Sequence, residues 1–302
     1  MLAAVATNVA IAVAKFVVAA TTGSSALLSE AIHSTVDTGD GLLLWVGLRR
    51  SRKPPDAMHP FGHGKELYFW TTVVSILVFA LGGGMSLYEG IAHLVHASPP
   101  ERSAWKYLVL GGSALFEAAS WAVALREFVA ARRGRGVWET IRTSKNPLVF
   151  TVLFEDSAAL LGIAVAAAGT FAADVTGSAT WDGMASILIG LVLMTVAVLL
   201  ARESRGLLVG EAADPATIED IRRVAGADPD VEAVGAVLTV HFGPHTVVLD
   251  LDLQFRAGLG GDDVARAVVR VEDRLRAAHP ELRWIYIEAR ALRPAATAAP
   301  RL

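Results

Sequence analysis

The sequence predicts an α-helical membrane protein with six transmembrane helices, followed by a small cytosolic α+β domain. Three observations predict this. Of 302 residues, 53% are hydrophobic and 19% charged, against about 25% charged in ordinary soluble domains, and the mean hydropathy is +0.47. The apolar excess is concentrated in the first two thirds, where six segments reach the roughly 20 apolar residues needed to cross a bilayer. From about residue 203 the pattern changes: residues 203–302 hold 16 acidic residues and 12 arginines. This composition excludes a soluble enzyme, a fibrous chain or a disordered polymer. The absence of cysteine excludes disulfides, Fe–S clusters and thiolate metal sites. A net charge of -3 without a basic block excludes a nucleic-acid partner.

The spans are predicted at 3–21, 25–48, 67–92, 105–131, 148–172 and 182–202. The first runs straight from the N-terminus without a small-residue cleavage site, and so is read as a span and not a targeting signal. The second connection carries Arg49, Arg50, Arg52, Lys53 and Lys65, and the fourth carries Arg132, Arg133, Arg135, Arg142 and Lys145. The first and fifth carry no Lys or Arg, and the third only Arg102 with Lys106 beside it. Positive charge stays inside, so the even-numbered connections and both termini are expected in the cytosol. Arginine outnumbering lysine by 22 to 5, with abundant alanine, points to a GC-rich bacterium and its plasma membrane.

The predicted domains are 1–203 in the membrane, 204–292 in the cytosol and a disordered tail over 293–302. In the second domain, Asp214-Pro215 starts a short helix to about Val224. Val237–Phe242 reads as a strand and Gly243-Pro244 as a turn. Val247, Leu249, Leu251, Leu253 and Phe255 then alternate with Val248, Asp250, Asp252 and Gln254, the pattern of a half-buried strand. Residues 262–278 form an amphipathic helix with Val264, Val268, Val271 and Leu275 on one side. Trp284–Glu288 is a last strand. The order α-β-β-α-β predicts helices on one face of a sheet.

Ionisable residues inside spans are costly and point to function. The second span has Glu30, His33, Asp37 and Asp40, whose spacings of 3, 4 and 3 place them on one helix face. His33 and Asp37 offer an imidazole nitrogen and a carboxylate to one ion, a donor pair that suits a divalent transition metal, zinc foremost. The alternative is a hydrogen-bonded structural stripe. The fifth span has Glu155-Asp156. Adjacent residues lie about 100° apart on a helix, so one is expected to face the site and the other a neighbouring helix. Lys15 is expected to snorkel, and Glu89, Glu117 and Asp182 to cap or pair.

Residues 23–37, reading Gly-Ser-Ser-Ala-Leu-Leu-Ser-Glu-Ala-Ile-His-Ser-Thr-Val-Asp, closely resemble the second-helix signature of the cation diffusion facilitator family. His59-Pro60-Phe61-Gly62-His63-Gly64-Lys65-Glu66 resembles the family's motif ahead of the third span. Residues 80–90, 115–121 and 153–162 look most like the branch that includes a mitochondrial zinc transporter. The resemblance covers essentially the whole chain. It implies a homodimer with a ferredoxin-like cytosolic domain that exchanges a divalent metal, usually Zn2+, for protons and exports it from the cytosol without an organic cofactor.

By position, the resemblance implies transport ligands at His33, Asp37 and Asp156. The family's fourth ligand, often histidine, falls on Val152, which cannot ligate. Glu155, Asp40 or a water is left to supply it. Such an oxygen-rich site is harder and more tolerant of Mn2+ or Fe2+, with Co2+, Ni2+ and Cd2+ as further candidate cargoes. The resemblance also implies a second metal site at Asp56, His59 and His63. The other reading of those histidines is loop-ordering hydrogen bonds. A third family site, in the cytosolic domain, lacks its residues in Ile285–Ala289. His241, His245 and Asp250 offer at most a looser site, and an exposed polar hairpin is the simpler account, with dimerisation then independent of metal. The alternatives to a zinc/proton antiporter are a Mn, Fe, Co or Ni exporter and a membrane-anchored metal sensor or scaffold that binds without transport. An intramembrane hydrolase is disfavoured: there is no HExxH-like helix, and Pro60 and Gly62 break the helical spacing between His59 and His63.

Overall fold

The computed structural model of the chain describes residues 2–96, 103–132, 134, 136–137, 140–141 and 144–290. The side chains of 2–8, 131 and 149 lie outside that description, as do residues 291–302 and with them the tail expected over 293–302. The chain divides into two compact units: 1–50 with 66–205, and 51–65 with 206–302.

The first unit is helical. Its elements are α1 (Leu2–Thr22), α2 (Ser25–Ser51), α3 (Lys65–Leu77), a π-helical segment (Val78–Gly84), α4 (Met85–Val95), α5 (Ala104–Arg132), α6 (Pro147–Thr176) and α7 (Thr180–Val209). Each predicted span falls within a helical run, and the last run, α7, extends seven residues past the predicted end at 202. Among the described residues, four runs are long and apolar enough to cross a membrane: 65–95, 104–130, 150–176 and 180–209. α2 is long enough, but it carries Glu30, Asp37, Asp40, Arg49 and Arg50. The third predicted span is not one regular α-helix. Its middle widens to a π-segment over Val78–Gly84, ending on Gly82-Gly83-Gly84 just before α4 begins at Met85, and such segments are rare insertions within α-helices.

Local chemistry sets the ends of α6. The Asn146 side chain accepts from the Leu148 amide at 3.2 Å, Pro147 opens the helix, and Gly177 closes it at φ 70°. The run 65–95 packs antiparallel on α7 through glycines seven residues apart. A Cβ at Gly83 would lie 3.1 Å from the Gly190 carbonyl oxygen, and one at Gly90 2.8 Å from that of Gly183. Small residues allow this close approach where no hydrophobic effect drives helices together. A core of Ala26, Leu27, Ala158, Ile163, Ala166 and Ile189 joins α2, α6 and α7.

The second unit has the order α8 (Pro215–Gly226), β1 (Val231–Gly243), β2 (Thr246–Phe255), α9 (Gly261–Ala278) and β3 (Leu282–Ala289). The sheet order is β1-β2-β3, antiparallel then parallel. Val247, Leu249, Leu251 and Leu253 are buried with Ile221, Val271 and Leu275 of the two helices. β1 begins six residues before its predicted start. Register irregularities between Val231 and Ala233 and between Val234 and Val237 break the alternation that marks a strand. The segment 51–65, a connection between spans in the sequence, joins this unit. Phe61 stacks on Phe242 at 4.9 Å and meets Trp284 edge-on at 5.4 Å, and Gly64 lies so close to Phe242 that a Cβ would strike its carbonyl oxygen.

Candidate metal site

The α2 stripe is held from both sides. At its start, Asp182 of α7 accepts from Ser24 Oγ (2.8 Å), Ser25 Oγ (3.1 Å), the Ala26 amide (3.2 Å) and Thr170 Oγ1 of α6 (3.2 Å). A carboxylate at a helix N-terminus complements the helix dipole, and this one ties the first turn of α2 to two neighbours. One turn on, Glu30 faces Gly162 of α6, where a Cβ would collide with Glu30 Oε1. Glu30 Oε2 lies 3.3 Å from Lys15 Nζ of α1, and that ammonium donates to Ser34 Oγ at 2.7 Å. Lys15 does not snorkel. It is 1% exposed, because the Glu30 carboxylate and the Ser34 hydroxyl satisfy its charge inside the bundle.

Beyond that pair the stripe is short of donors. The His33 side chain is 2% exposed, with Nδ1 3.3 Å from Asp37 Oδ1. Neither atom is in hydrogen-bonding geometry, and His33 Nε2, both Asp40 oxygens and Glu155 Oε1 also lack a partner. Among the described residues, twelve buried side-chain polar atoms have no hydrogen bond; seven belong to α2 and an eighth to Glu155. Buried polar atoms are normally paired, and each one left unpaired costs about 1–3 kcal/mol. The carboxylate oxygens of Glu30, Asp37 and Asp40 and an imidazole lone pair of His33 in that row are what a cation would satisfy.

On α6 the adjacent carboxylates separate. Asp156 Oδ2 accepts from Ser120 Oγ of α5 at 2.8 Å, and Trp121 Nε1 donates to Ser157 Oγ at 2.9 Å. Glu155 interacts electrostatically with Asp40 and Asp156, and Asp37 with Glu117, Glu155 and Asp40. Val152 is 36% exposed. The stripe and the α6 carboxylates share one electrostatic neighbourhood, but they do not converge to ligating distance in this conformation. Among the described residues, the group of three or more His, Asp or Glu whose ligand atoms lie within 4.8 Å of one another is Asp56, His59 and His63.

That loop cluster is built around one carboxylate. Asp56 Oδ1 accepts from the amides of Met58 (2.9 Å) and His59 (2.7 Å) and lies 3.2 Å from His59 Nδ1. The His59 amide, above all, holds the Asp56 carboxyl below its ordinary range. His63 Nδ1 lies 3.2 Å from the Pro54 carbonyl oxygen. The carbonyl fixes the proton on Nδ1, so the Nε2 lone pair faces Asp56 Oδ2 at 3.4 Å. Two acceptors face to face call for a proton or a metal ion between them. In the sheet, His241 pairs across from Val247 and so shares the core face, whereas Asp250 pairs across from Leu238 on the other face. His241 Nδ1 lies 3.3 Å from the Gly243 carbonyl oxygen. His241 and Asp250 are therefore not brought together, and His245 lies in the turn between the strands.

Residues 1–209 match the cation efflux transmembrane domain. The chain belongs to the cation efflux, or cation diffusion facilitator, family. It is 32% identical to metal tolerance protein C4 of Arabidopsis thaliana over 243 residues, 80% of this chain and 53% of that protein. It is 30% identical to the mitochondrial proton-coupled zinc antiporter SLC30A9 of Homo sapiens over 261 residues, 86% of this chain and 45% of that protein. It is 23% identical to the manganese efflux system protein MneP of Bacillus subtilis over 254 residues, 81% of this chain and 80% of that protein. The chain thus spans about half the length of the first two relatives. Membership makes it an integral membrane protein of a transport family.

Two features of this cation efflux protein escaped the sequence reading. One is the Lys15–Glu30–Ser34 contact. The other is Glu117, expected to cap or pair. It makes no hydrogen bond or ion pair with the described residues, and it lines a small recess with Ile11, Ser34 and Asp37. The available signal was its place in mid-span, where an unpaired carboxylate is itself a sign of function.

Proposed function

We propose that the protein is a zinc/proton antiporter that exports Zn2+ from the cytosol. In this reading six spans cross the membrane, the even-numbered connections and both termini are cytosolic, and the ferredoxin-like C-terminal unit dimerises without bound metal. The membrane is a bacterial plasma membrane. The observation that carries the reading is the row of buried polar atoms without hydrogen-bond partners along α2, centred on His33 and Asp37. Its support is the resemblance to proteins named as proton-coupled zinc antiporters.

In the proposed cycle, metal arrives past the Asp56, His59 and His63 cluster and reaches His33, Asp37 and Asp156, with Glu155 and Asp40 as further oxygen donors. Ligands must be deprotonated to bind metal, so loading releases protons. After the site turns outward, protons from that side compete for the same atoms and the metal leaves. An imidazole, with an ordinary pKa of about 6.5, is suited to that exchange near neutral pH.

A second reading, manganese export, has its own support. Position 152 carries an exposed valine in place of a nitrogen ligand, the remaining donors are mostly oxygen, and MneP is a relative. Proteoliposomes holding a pH-sensitive dye separate the readings when Zn2+, Mn2+, Fe2+, Co2+, Ni2+ and Cd2+ are offered with and without a proton gradient. Zinc uptake with proton counterflow is expected. Flux of manganese without zinc would replace the first reading with the second, and binding without flux would make the protein a sensor.

A further inference from the structure

We propose that Glu117 of α5 is a further metal ligand, its carboxylate and that of Asp37 closing on the cargo from the two walls of one recess and supplying the donor that position 152 lacks. This rests on the reading of His33 and Asp37 as transport ligands.

Glu117 sits near the middle of α5, remote from either end of the helix, so it has no terminus to cap. Among the described residues it has no hydrogen-bond donor, yet it lines the same recess as Asp37 and Ser34 of α2 and Ile11 of α1. Its charge interacts with Asp37, Asp156, Glu30 and Lys15. Carboxylates gathered in a low-dielectric interior repel strongly, and a divalent cation between them reverses the sign of the interaction. Among the described residues, the cation whose charge reaches Glu117 and Asp37 is Lys15, and it is already committed to Glu30 and Ser34.

A buried imidazole set against one wall of that recess gives a second observation. His33 has both ring nitrogens unpartnered, with Nδ1 3.3 Å from Asp37 Oδ1. Asp37, which lines the recess, thus stands against an imidazole without a partner. α5 also fixes the third ligand. Ser120 lies three residues from Glu117, hence on the same helix face, and holds Asp156 at 2.8 Å. One face of α5 thus presents Glu117 to Asp37 and fastens the α6 aspartate. The valine at 152 can make neither contact.

The chain contains no cysteine, so Glu117→Cys introduces a single thiol, a soft ligand that selects Cd2+. In the purified 302-residue chain, Cd2+ is expected to raise a thiolate-to-cadmium charge-transfer band with Glu117→Cys. The band is expected to vanish when Asp37→Ala is added. Glu117→Gln is expected to weaken Zn2+ binding by about tenfold or more, the lower end of what even outer-shell partners of a metal contribute. No charge-transfer band in a Glu117→Cys protein that still binds Cd2+ overturns the proposal. So does zinc affinity that stays at the wild-type level in Glu117→Gln while Asp37→Ala loses it. If Asp37→Ala itself binds zinc like the wild type, the reading of α2 fails, and Glu117 falls with it.

Discussion

Asp228 of the C-terminal unit and Asp40 of the helical unit are equally buried, at 2% and 1% exposed, and their surroundings treat them in opposite ways. Asp228 accepts from Arg270 Nε (3.1 Å) and Nη2 (3.0 Å), from the Asp230 amide (3.1 Å), and from Arg274. Asp252 in the same unit is held by Arg290. Among the described residues, Asp40 has no donor on either oxygen. All twelve unpartnered buried side-chain polar atoms among the described residues belong to the helical unit. A carboxylate saturated by arginine contributes to folding, so its removal costs stability. A carboxylate buried without donors costs stability as it stands, and perturbed groups of that kind gather where function needs them.

The largest effect tests the unsatisfied side of this contrast. Asp37→Ala or His33→Ala is expected to abolish metal flux in proteoliposomes. The melting temperature in detergent should hold or rise, because each change removes atoms that have no partner. Retained flux in reconstituted Asp37→Ala would remove the α2 site. Lost flux together with a collapsed melting temperature would mean that the stripe holds the bundle together, as a structural network does. The conservative change His33→Asp keeps a ligand but hardens it. It is expected to shift preference from zinc toward manganese, as competition between the two metals would measure.

The saturated side predicts the reverse. Arg270→Ala leaves the buried Asp228 short of donors at a cost of about 1–3 kcal/mol, read as a lower unfolding midpoint of the C-terminal unit, with transport little changed at a temperature where the unit stays folded. Acid should act on the same group. Burial works to raise the Asp228 pKa, but hydrogen bonds from Arg270 and the Asp230 amide, with the charges of Arg270 and Arg274, outweigh it and hold the group below the ordinary value of 3.8. A depressed carboxylate stabilises fully above its unfolded pKa, and that contribution is lost as pH falls through the folded one. The wild-type unit should therefore resist acid to below about pH 4, and Arg270→Ala should unfold at a higher pH.

The same contrast marks what could be read in advance. The 3, 4, 3 spacing of Glu30, His33, Asp37 and Asp40 fixes a shared helix face whatever the neighbours do, and the strand alternation of Val247 to Leu253 fixes which side is buried. What a side chain meets across a helix interface depends on how each helix is rotated about its own axis, and spacing along one helix does not contain that. Hence Asp156 turning to Ser120, Lys15 finding Glu30, and Glu117 facing Asp37 were not legible. The docking of Phe61 between Phe242 and Trp284, which carries 51–65 into the C-terminal unit, joins residues about 180 and 220 positions apart. No local pattern announces it.

The smallest expected effect is the most informative about position 152. The family resemblance places a nitrogen ligand there, four residues before Asp156, so Val152→His looks like a restoration. The geometry argues otherwise. Val152 is 36% exposed, and the face it shares with Asp156 at i, i+4 is turned toward Ser120 of α5. An imidazole at 152 would stand at that exposed edge of α6. Zinc flux and the zinc-to-manganese ratio are expected to change by less than about twofold, the scale of an ordinary surface substitution. A clear gain in zinc preference would show that α6 rotates during the cycle and brings 152 to the metal. The rotation that pairs Asp156 with Ser120 would then belong to one state of transport, and the donor row on α2 would be completed by α6 in the other.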